Sequence, residues 1–330
     1  MSWQNWLNFI IDALTFGATF MYGSTGEIIT EKSGHLNLGI PGIMCMGGAG
    51  GCLMLSLVGG SSLPPFLIVI LGILASFLTA SLMGAIYCFL TVTLRSNQNV
   101  TGLALTTFGV GLMKVIMSNK NIINVKNYLV IPKEYYRWPF SLIQKDLQAA
   151  DLAAMGGLGI MFFLAVAIAI IASYVLYHTK VGLNLRAIGE NAATADAAGI
   201  NVSRYKYCAT IIGSGIAGLG GLYYIIDYMV SQEAYLSLEA FGWLSIALVI
   251  FVLWRPHLTI PGSFIFGILF SCSSFIAIIP GITVTMAAKP LLRMLPYVVT
   301  VLVLIISSIR NKRENQPPAS LGVNYFREER

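Results

Sequence analysis

The residues that could carry out catalysis are few, and their spacing does not form a catalytic site. The chain holds 3 histidines and 5 cysteines, and the cysteines stand in apolar runs without the spacing of metal ligands. The sequence contains no phosphate-binding loop of the type Gly-x-x-x-x-Gly-Lys-Ser/Thr and does not suggest a serine–histidine–aspartate triad. It therefore predicts a protein that is not an enzyme and binds no cofactor of its own.

Several polar and aromatic side chains stand inside long apolar stretches, where they could bind a solute. Polar groups are costly in lipid and are often functional there. Asparagine offers a donor and an acceptor to hydroxyls or nucleobase edges, and aromatic rings stack on flat or sugar rings. Threonine, however, often bonds its own helix backbone, and tyrosine often lies at the membrane interface. The candidates for a substrate path are Asn37, Asn99, Thr101, Thr106, Phe108 and Tyr223.

A third pattern is the polar segment VGLNLRAIGENAATADAAGI, residues 181–200. Asn191 is a good N-cap, most residues from 192 to 198 favour helix, and Gly199 suits a left-handed helix end. The small alanine side chains would let such a helix enter a shallow groove on another protein. An equally supported alternative is a loop helix that packs on its own chain.

The composition indicates whether water or lipid surrounds the helices that carry these residues. The chain is 56% hydrophobic and 10% charged, with a mean hydropathy of +0.77, whereas a soluble domain carries about 25% charged residues. Lipid must therefore surround much of the chain, which excludes a soluble enzyme, a nucleic-acid-binding protein and a disordered scaffold.

The apolar runs predict an all-α, multi-pass membrane protein with about nine (8–10) spans, some of them broken or re-entrant. The predicted spans cover residues 5–22, 38–58, 65–94, 99–117, 156–177, 207–226, 243–254, 262–279 and 295–309. In the sixth span, Ala209, Gly213, Ala217 and Gly221 recur every four residues. This small-residue face favours close packing within the chain over a binding site.

Lysine and arginine residues predict the orientation. Four spans separate residues 180–206 from the tail at 311–330, and both regions are basic, so both are predicted to be cytoplasmic. The region 118–151 is then extracellular, although it carries five lysine and arginine residues, because longer loops obey the rule less strictly. This predicts a transmembrane domain at 1–310, with a cytoplasmic loop at 180–204, followed by a polar, solvated tail.

The segment at 181–200 resembles the cytoplasmic coupling loop of ABC-importer permeases, in the branched-chain amino acid, ribose and nucleoside permease family. The positions that match are Gly182, Arg186, Ala187, Gly189, Asn191, Gly199 and Ile200. The resemblance implies that this loop couples the chain to an ATPase. The residues implied in coupling are Arg186, Gly189, Glu190, Asn191, Ala193, Ala197, Ala198 and Gly199.

Four further segments resemble the same family, so the resemblance covers roughly residues 10 to 309. They are TEKSGHLNLGIPG at 30–42, NQNVTGLAL at 97–105, the W-x-P element at 254–256 and LPYVVT at 295–300. Pro41 replaces an acidic residue of the family pattern. Just before the seventh predicted span, Phe241 stands where the family frequently has a basic residue. Pro41 and its flanking glycines predict either a break within a helix or a tight interfacial turn.

The resemblance implies a type II ABC-importer-like permease for a nucleoside or simple sugar. The implied setting is a bacterial inner or cytoplasmic membrane, with the C-terminus in the cytoplasm. The implied partners are a separate ATPase that holds ATP and magnesium, a second and different permease chain, an extracellular substrate-binding lipoprotein and the lipid bilayer. Nucleic acid is not an expected partner.

Two alternatives stay open from the sequence. The first is a different substrate, such as a riboflavin-like heterocycle. The second is an ion-coupled secondary transporter of a small polar solute, which should show inverted repeats and ionisable groups inside its spans. The sequence shows no convincing repeat, and acids at the membrane centre are nearly absent, so it does not favour the secondary transporter.

Overall fold

The computed structural model describes residues 3–119, 121–129, 158–276, 288–310 and 316–326. Within these ranges the chain is helical, and strands are not found. The helices, in chain order, are α1 (Trp3–Glu31), α2 (Ile40–Val58), α3 (Pro65–Cys88), α4 (Gln98–Ser118), α5 (Val125–Leu129), α6 (Ile160–His178), α7 (Lys180–Glu190), α8 (Ala192–Ala197), α9 (Val202–Tyr223), α10 (Leu238–Phe251), α11 (Thr259–Ile276), α12 (Ala288–Arg293) and α13 (Leu295–Arg310). Short π-helical turns at Phe89–Thr93 and Tyr224–Met229 extend α3 and α9.

The helices confirm the predicted all-α membrane fold. In the described part of the chain, six helices are long and apolar enough to cross a bilayer: Ile40–Val58, Pro65–Thr93, Gln98–Ser118, Ile160–His178, Val202–Met229 and Gln232–Phe251. Two shorter apolar helices follow at Pro256–Cys272 and Pro290–Ile306. The 29-residue α1 is as long as the spanning helices, but its polar residues lower its mean hydropathy.

One predicted boundary differs clearly from the structure. The first span was expected to end at residue 22, but α1 continues to Glu31 because the polar side chains in its last turns face the protein interior rather than water. Of the two alternatives for the motif at 30–42, the structure shows a turn, which covers residues 32–39, and Pro41 lies in the first turn of α2. Proline is tolerated there because that backbone N–H has no partner within the helix.

Helices α2 and α9 form the centre of the bundle. Their apolar windows are 83% and 89% buried, whereas the window of α6 is only 28% buried and that of α3 is 39% buried. The predicted packing role of the small-residue face on α9 is confirmed. A β-carbon on Gly213 would lie 2.4 Å from the carbonyl oxygen of Gly26, and one on Gly221 would lie 2.0 Å from that of Met44. Only glycine permits these approaches.

The tail differs from its prediction. Residues 316–326 are not free in solvent but pack against the helix ends, with Pro318 buried and Leu321 against the main core. The rest of the tail lies outside the described residues, as does most of the predicted loop at 118–151. In the described part of that loop, Asn124 donates a 2.6 Å hydrogen bond to the Ser56 hydroxyl at the end of α2.

Candidate functional site

The predicted coupling helix exists, with the boundaries that its sequence indicated. The side chain of Asn191 accepts a 3.0 Å hydrogen bond from the backbone N–H of Thr194 and begins α8. The helix ends at Gly199, whose φ is +83°. The N–H of Ile200 donates to the Ala195 carbonyl at 3.1 Å and that of Gly199 to Asp196 at 2.9 Å. These two bonds form the Schellman motif that a left-handed glycine allows.

Helix α8 packs on its own chain, as one of the two alternatives from the sequence predicted, and it leaves its opposite side exposed. Ala192 and Ala195 are buried in a small apolar cluster with Ile188 and Val202, so one side packs on its own chain. The opposite side is exposed and carries three of the predicted coupling residues together with one threonine. These exposed residues are Ala193, Thr194, Ala197 and Ala198. An exposed face of small side chains is free to meet another surface.

The predicted coupling residues on α7 are placed differently. Gly189 is buried, and a β-carbon there would lie 2.4 Å from the carbonyl oxygen of Lys32, so this glycine permits a close contact with the α1–α2 turn. The Arg186 guanidinium lies 5.1 Å from the centre of the Tyr177 ring. Glu190 and Asn191 are exposed. Gly189 therefore serves packing, while the exposed small side chains are on α8.

A basic cavity of about 560 Å³ opens beside α7. Its lining includes Lys32, Arg186, Arg255 and His257, with Glu190 as an acidic member. Burial lowers the pKa of Lys32, and the neighbouring arginines lower it further, while Glu190 acts in the opposite direction. This end of the bundle thus carries the positive charge that the sequence predicted around the coupling loop.

The separate family-like motifs meet at the same end of the bundle. The indole N–H of Trp254 donates to the Glu31 carboxylate. The N–H of Leu36 donates to the Gln98 side chain at 2.8 Å, and that of Asn37 donates to Glu27 at 3.2 Å. Segments distant in sequence therefore hold the α1–α2 turn in place through polar side chains.

That acids are nearly absent from the membrane centre stays a prediction, but the structure buries several acids in the helix bundle. Glu27 and Glu31 are 0% and 3% exposed and lie four residues apart in α1, because that helix continues past its predicted end. Asp227 is also buried, and Asp12 accepts hydrogen bonds from Tyr228 at 2.8 Å and Ser271 at 2.7 Å.

The structure does not bring the six predicted path residues together. Asn37 is buried and its side chain accepts a 2.9 Å bond from Gly39. The other three buried candidates donate to backbone carbonyl groups: Thr101 to Asn97 at 2.8 Å, Thr106 to Leu38 at 2.8 Å and Tyr223 to Thr15 at 2.8 Å.

The two remaining path candidates lie on the outer face of α4. Asn99 is exposed and Phe108 is 56% exposed. They share this face with Thr107 and Lys114, and a β-carbon on Gly111 would meet nothing within 4 Å. The face also exposes apolar side chains, at Val100, Leu103 and Val115. It therefore combines polar and apolar groups, and its polar groups are less costly beside water or another protein surface than in lipid.

Known proteins resemble this chain over nearly its whole length. The family model described as "Branched-chain amino acid transport system / permease component" matches residues 9–306. The putative glucose ABC transporter permease protein TsgC13 of Haloferax volcanii is 28% identical over 98% of this chain and 97% of its own. The nucleoside ABC transporter permease protein NupC of Lactococcus lactis is 28% identical over 99% of each chain. The guanosine ABC transporter permease protein NupQ of Bacillus subtilis is 26% identical over 90% of this chain and 91% of its own.

Proposed function

Because this chain belongs to the family of branched-chain amino acid transport system permease components, we propose that it forms part of the path by which a nucleoside crosses a bacterial cytoplasmic membrane. The chain is a multi-pass permease subunit of an ATP-binding cassette importer, and it is not itself the ATPase. The observation that carries the substrate proposal is full-length similarity to two nucleoside-type permeases. Similarity to a putative glucose permease makes a simple sugar the second candidate.

In the proposed mechanism this chain transmits movement from the ATPase to the transmembrane bundle. We assign residues 1–310 as the transmembrane domain, and we place the loop at 180–204 and the tail at 311–330 in the cytoplasm. The exposed face of α8 would sit against the ATPase, which would hold ATP and magnesium. Closure of two ATPase subunits would displace α7 and α8, and the bundle would then open its path to the opposite side. Residues 316–326 contact α7, which supports placing the loop and the tail on the same side of the membrane.

The substrate path would run along the exposed face of α4, between this chain and a second permease chain. Asn99 offers a donor and an acceptor, and Phe108 offers a ring for stacking. Both are exposed on a helix that must cross the membrane, and Lys114 lies on the same face. A water-filled path between two permease chains would remove the cost of placing these groups in lipid.

Replacement of Phe108 by alanine tests this path. We expect the apparent KM for uptake to rise about 2- to 10-fold, the loss expected for one aromatic stacking contact. The matched control is Phe163→Ala, because Phe163 is 43% exposed on the peripheral helix α6. An unchanged KM in Phe108→Ala, measured by initial uptake rates at equal protein levels, would remove α4 from the path.

The proposed function is tested by reconstitution of the complete importer in liposomes. The chain would be combined with the proposed ATPase, second permease and substrate-binding lipoprotein, with ATP enclosed. We expect ATP-dependent uptake of labelled guanosine or uridine in preference to glucose and leucine. A non-hydrolysable ATP analogue is the control. Uptake of glucose alone would overturn the nucleoside proposal, and ion-driven transport by this chain alone would overturn the importer mechanism.

A further inference from the structure

Residues 316–326, which we call the strap, cross the end of the bundle that carries the coupling helix. The strap follows α13 in the chain, yet its contacts are with segments from the first two thirds of the sequence. Several of its hydrogen bonds join its side chains to residues of α4, α7 and α8. A polar tail needs none of these contacts in order to stay soluble, so they call for an explanation.

On one side the strap is bonded to the coupling segment, α7 and α8. The N–H of Ser320 donates to the Gly189 carbonyl at 2.9 Å, and its hydroxyl donates to the Glu190 carbonyl at 3.1 Å. The Tyr325 hydroxyl donates to the Asp196 carboxylate at 2.8 Å. The Tyr325 ring also packs against the apolar cluster under α8. The strap therefore holds both helices of the coupling segment.

On the other side the strap is bonded to the α1–α2 turn and to the segment that leads into α4. The N–H of Gly322 donates to the Gly34 carbonyl in the α1–α2 turn at 3.1 Å. The Asn324 side chain accepts a 3.0 Å bond from Gln98 at the start of α4 and donates to the carbonyls of Arg95 and Ser96 at 3.1 and 3.2 Å. The strap thus reaches the turn before α2 and the beginning of α4.

Gln98 connects these contacts to the interior. Its amide donates to Asn324, while its carbonyl oxygen accepts from the N–H of Leu36 at 2.8 Å. Gln98 is 2% exposed, so the connection is shielded from water. A continuous series of contacts therefore runs from Asp196 on α8 through Tyr325, Asn324 and Gln98 to the α1–α2 turn.

We propose that the strap transmits movement of the coupling segment to the α1–α2 turn and to α4, with Asn324 and Tyr325 as positioning residues. The close approach of Gly189 to Lys32 resists compression, and the opposite charge of Glu190 attracts Lys32. The strap adds hydrogen bonds that resist separation of the coupling segment from the α1–α2 turn and from α4. Alternating access requires movement in both directions, and the strap would contribute to the return. This inference rests on the proposed coupling to an ATPase.

The test compares the complete importer carrying Tyr325→Phe, Asn324→Ala or both with the unmodified importer. The readouts are ATPase recruitment, ATP hydrolysis and the amount of nucleoside transported per ATP. We expect recruitment and hydrolysis to persist, while transport per ATP falls about 3- to 10-fold in the double variant, as for the loss of a few hydrogen bonds. Val323→Ala is the matched control, because this strap side chain is 58% exposed.

The outcomes distinguish a failure of the strap proposal from a failure of the proposed function. An unchanged ratio of transport to hydrolysis in the double variant would overturn the strap's role. A parallel loss of recruitment and transport would overturn it too, because the strap would then only stabilise the docking surface. If the double variant does not accumulate, the single variant Tyr325→Phe, which removes one hydroxyl, decides the question. Failure of the unmodified importer to transport would instead overturn the proposed function.

Discussion

We expect Ala193→Glu to reduce uptake by at least about tenfold, because the substitution would bury an unpaired charge at the proposed contact between α8 and the ATPase. Ala193 is exposed, so the glutamate does not disturb the interior of this chain. It also lies in the first turn of α8, where an acidic side chain favours the helix through its dipole. Loss of uptake could therefore not be attributed to loss of the helix. The measurement is ATP-dependent uptake at matched protein levels, together with co-purification of the ATPase.

Asn121→Glu provides the control for the added charge. Asn121 is exposed and follows α4 at the opposite end of that helix from Gln98, away from the coupling segment. Its substitution should leave uptake unchanged. Ala198→Glu, on the exposed face at the other end of α8, should repeat the defect. Normal ATPase recruitment and normal uptake in both alanine variants would show that α8 is not the coupling surface.

The second large effect is expected at the centre of the bundle, where Gly221→Val should prevent accumulation of folded protein. A β-carbon at this position would lie 2.0 Å from the Met44 carbonyl oxygen and 3.1 Å from the Gly48 nitrogen. Helices α2 and α9 would have to separate, which we estimate costs about 3 kcal/mol or more. The prediction is checked by the amount of protein in the membrane and by its thermal stability in detergent.

Gly111→Val is the matched control for that substitution. It makes the same chemical change on a membrane-spanning helix, but a β-carbon there would meet nothing within 4 Å. We expect normal accumulation of this variant, whatever its effect on the substrate path. If both variants accumulated equally poorly, valine itself would disfavour these helices. Close packing at Gly221 would then not explain the effect.

The features predicted correctly from the sequence depend on local properties of the chain. Hydropathy over about 20 residues identified the spanning helices, since each buries its own backbone hydrogen bonds in lipid. The boundaries of α8 followed from Asn191 and Gly199, which act within a few residues of the helix that they begin and end. The spacing of small residues on α9 indicated close packing, although it did not identify the helices that would meet them.

The missed features depend on contacts between distant segments. Glu27 and Glu31 fall between the first two predicted spans, so the sequence places them in a polar loop. In the structure they are buried beside Asn37 and Trp254, and α1 extends to include them. The sequence had a signal for this, because Glu31, Gln98 and Trp254 all belong to motifs that resemble the family. It did not indicate that these motifs meet.

The tail was missed for the same reason. Its composition predicts solvation, and its one local hint is the apolar and aromatic sequence at 321–326 after Pro317 and Pro318. Hydrogen bonds from Ser320, Asn324 and Tyr325 to partners more than 120 residues away decide its position. Composition carries no information about such partners.

The sequence by itself determined that lipid surrounds much of this chain, that the chain is built from helices and that a capped helix follows Asn191. These properties follow from the transfer of side chains to lipid and from bonds within single turns, both of which are fixed locally. The tertiary structure alone decided which face of α8 is exposed, which polar side chains are buried and where the strap lies. Those outcomes depend on which surfaces meet when the helices pack, and that is a property of the assembled bundle.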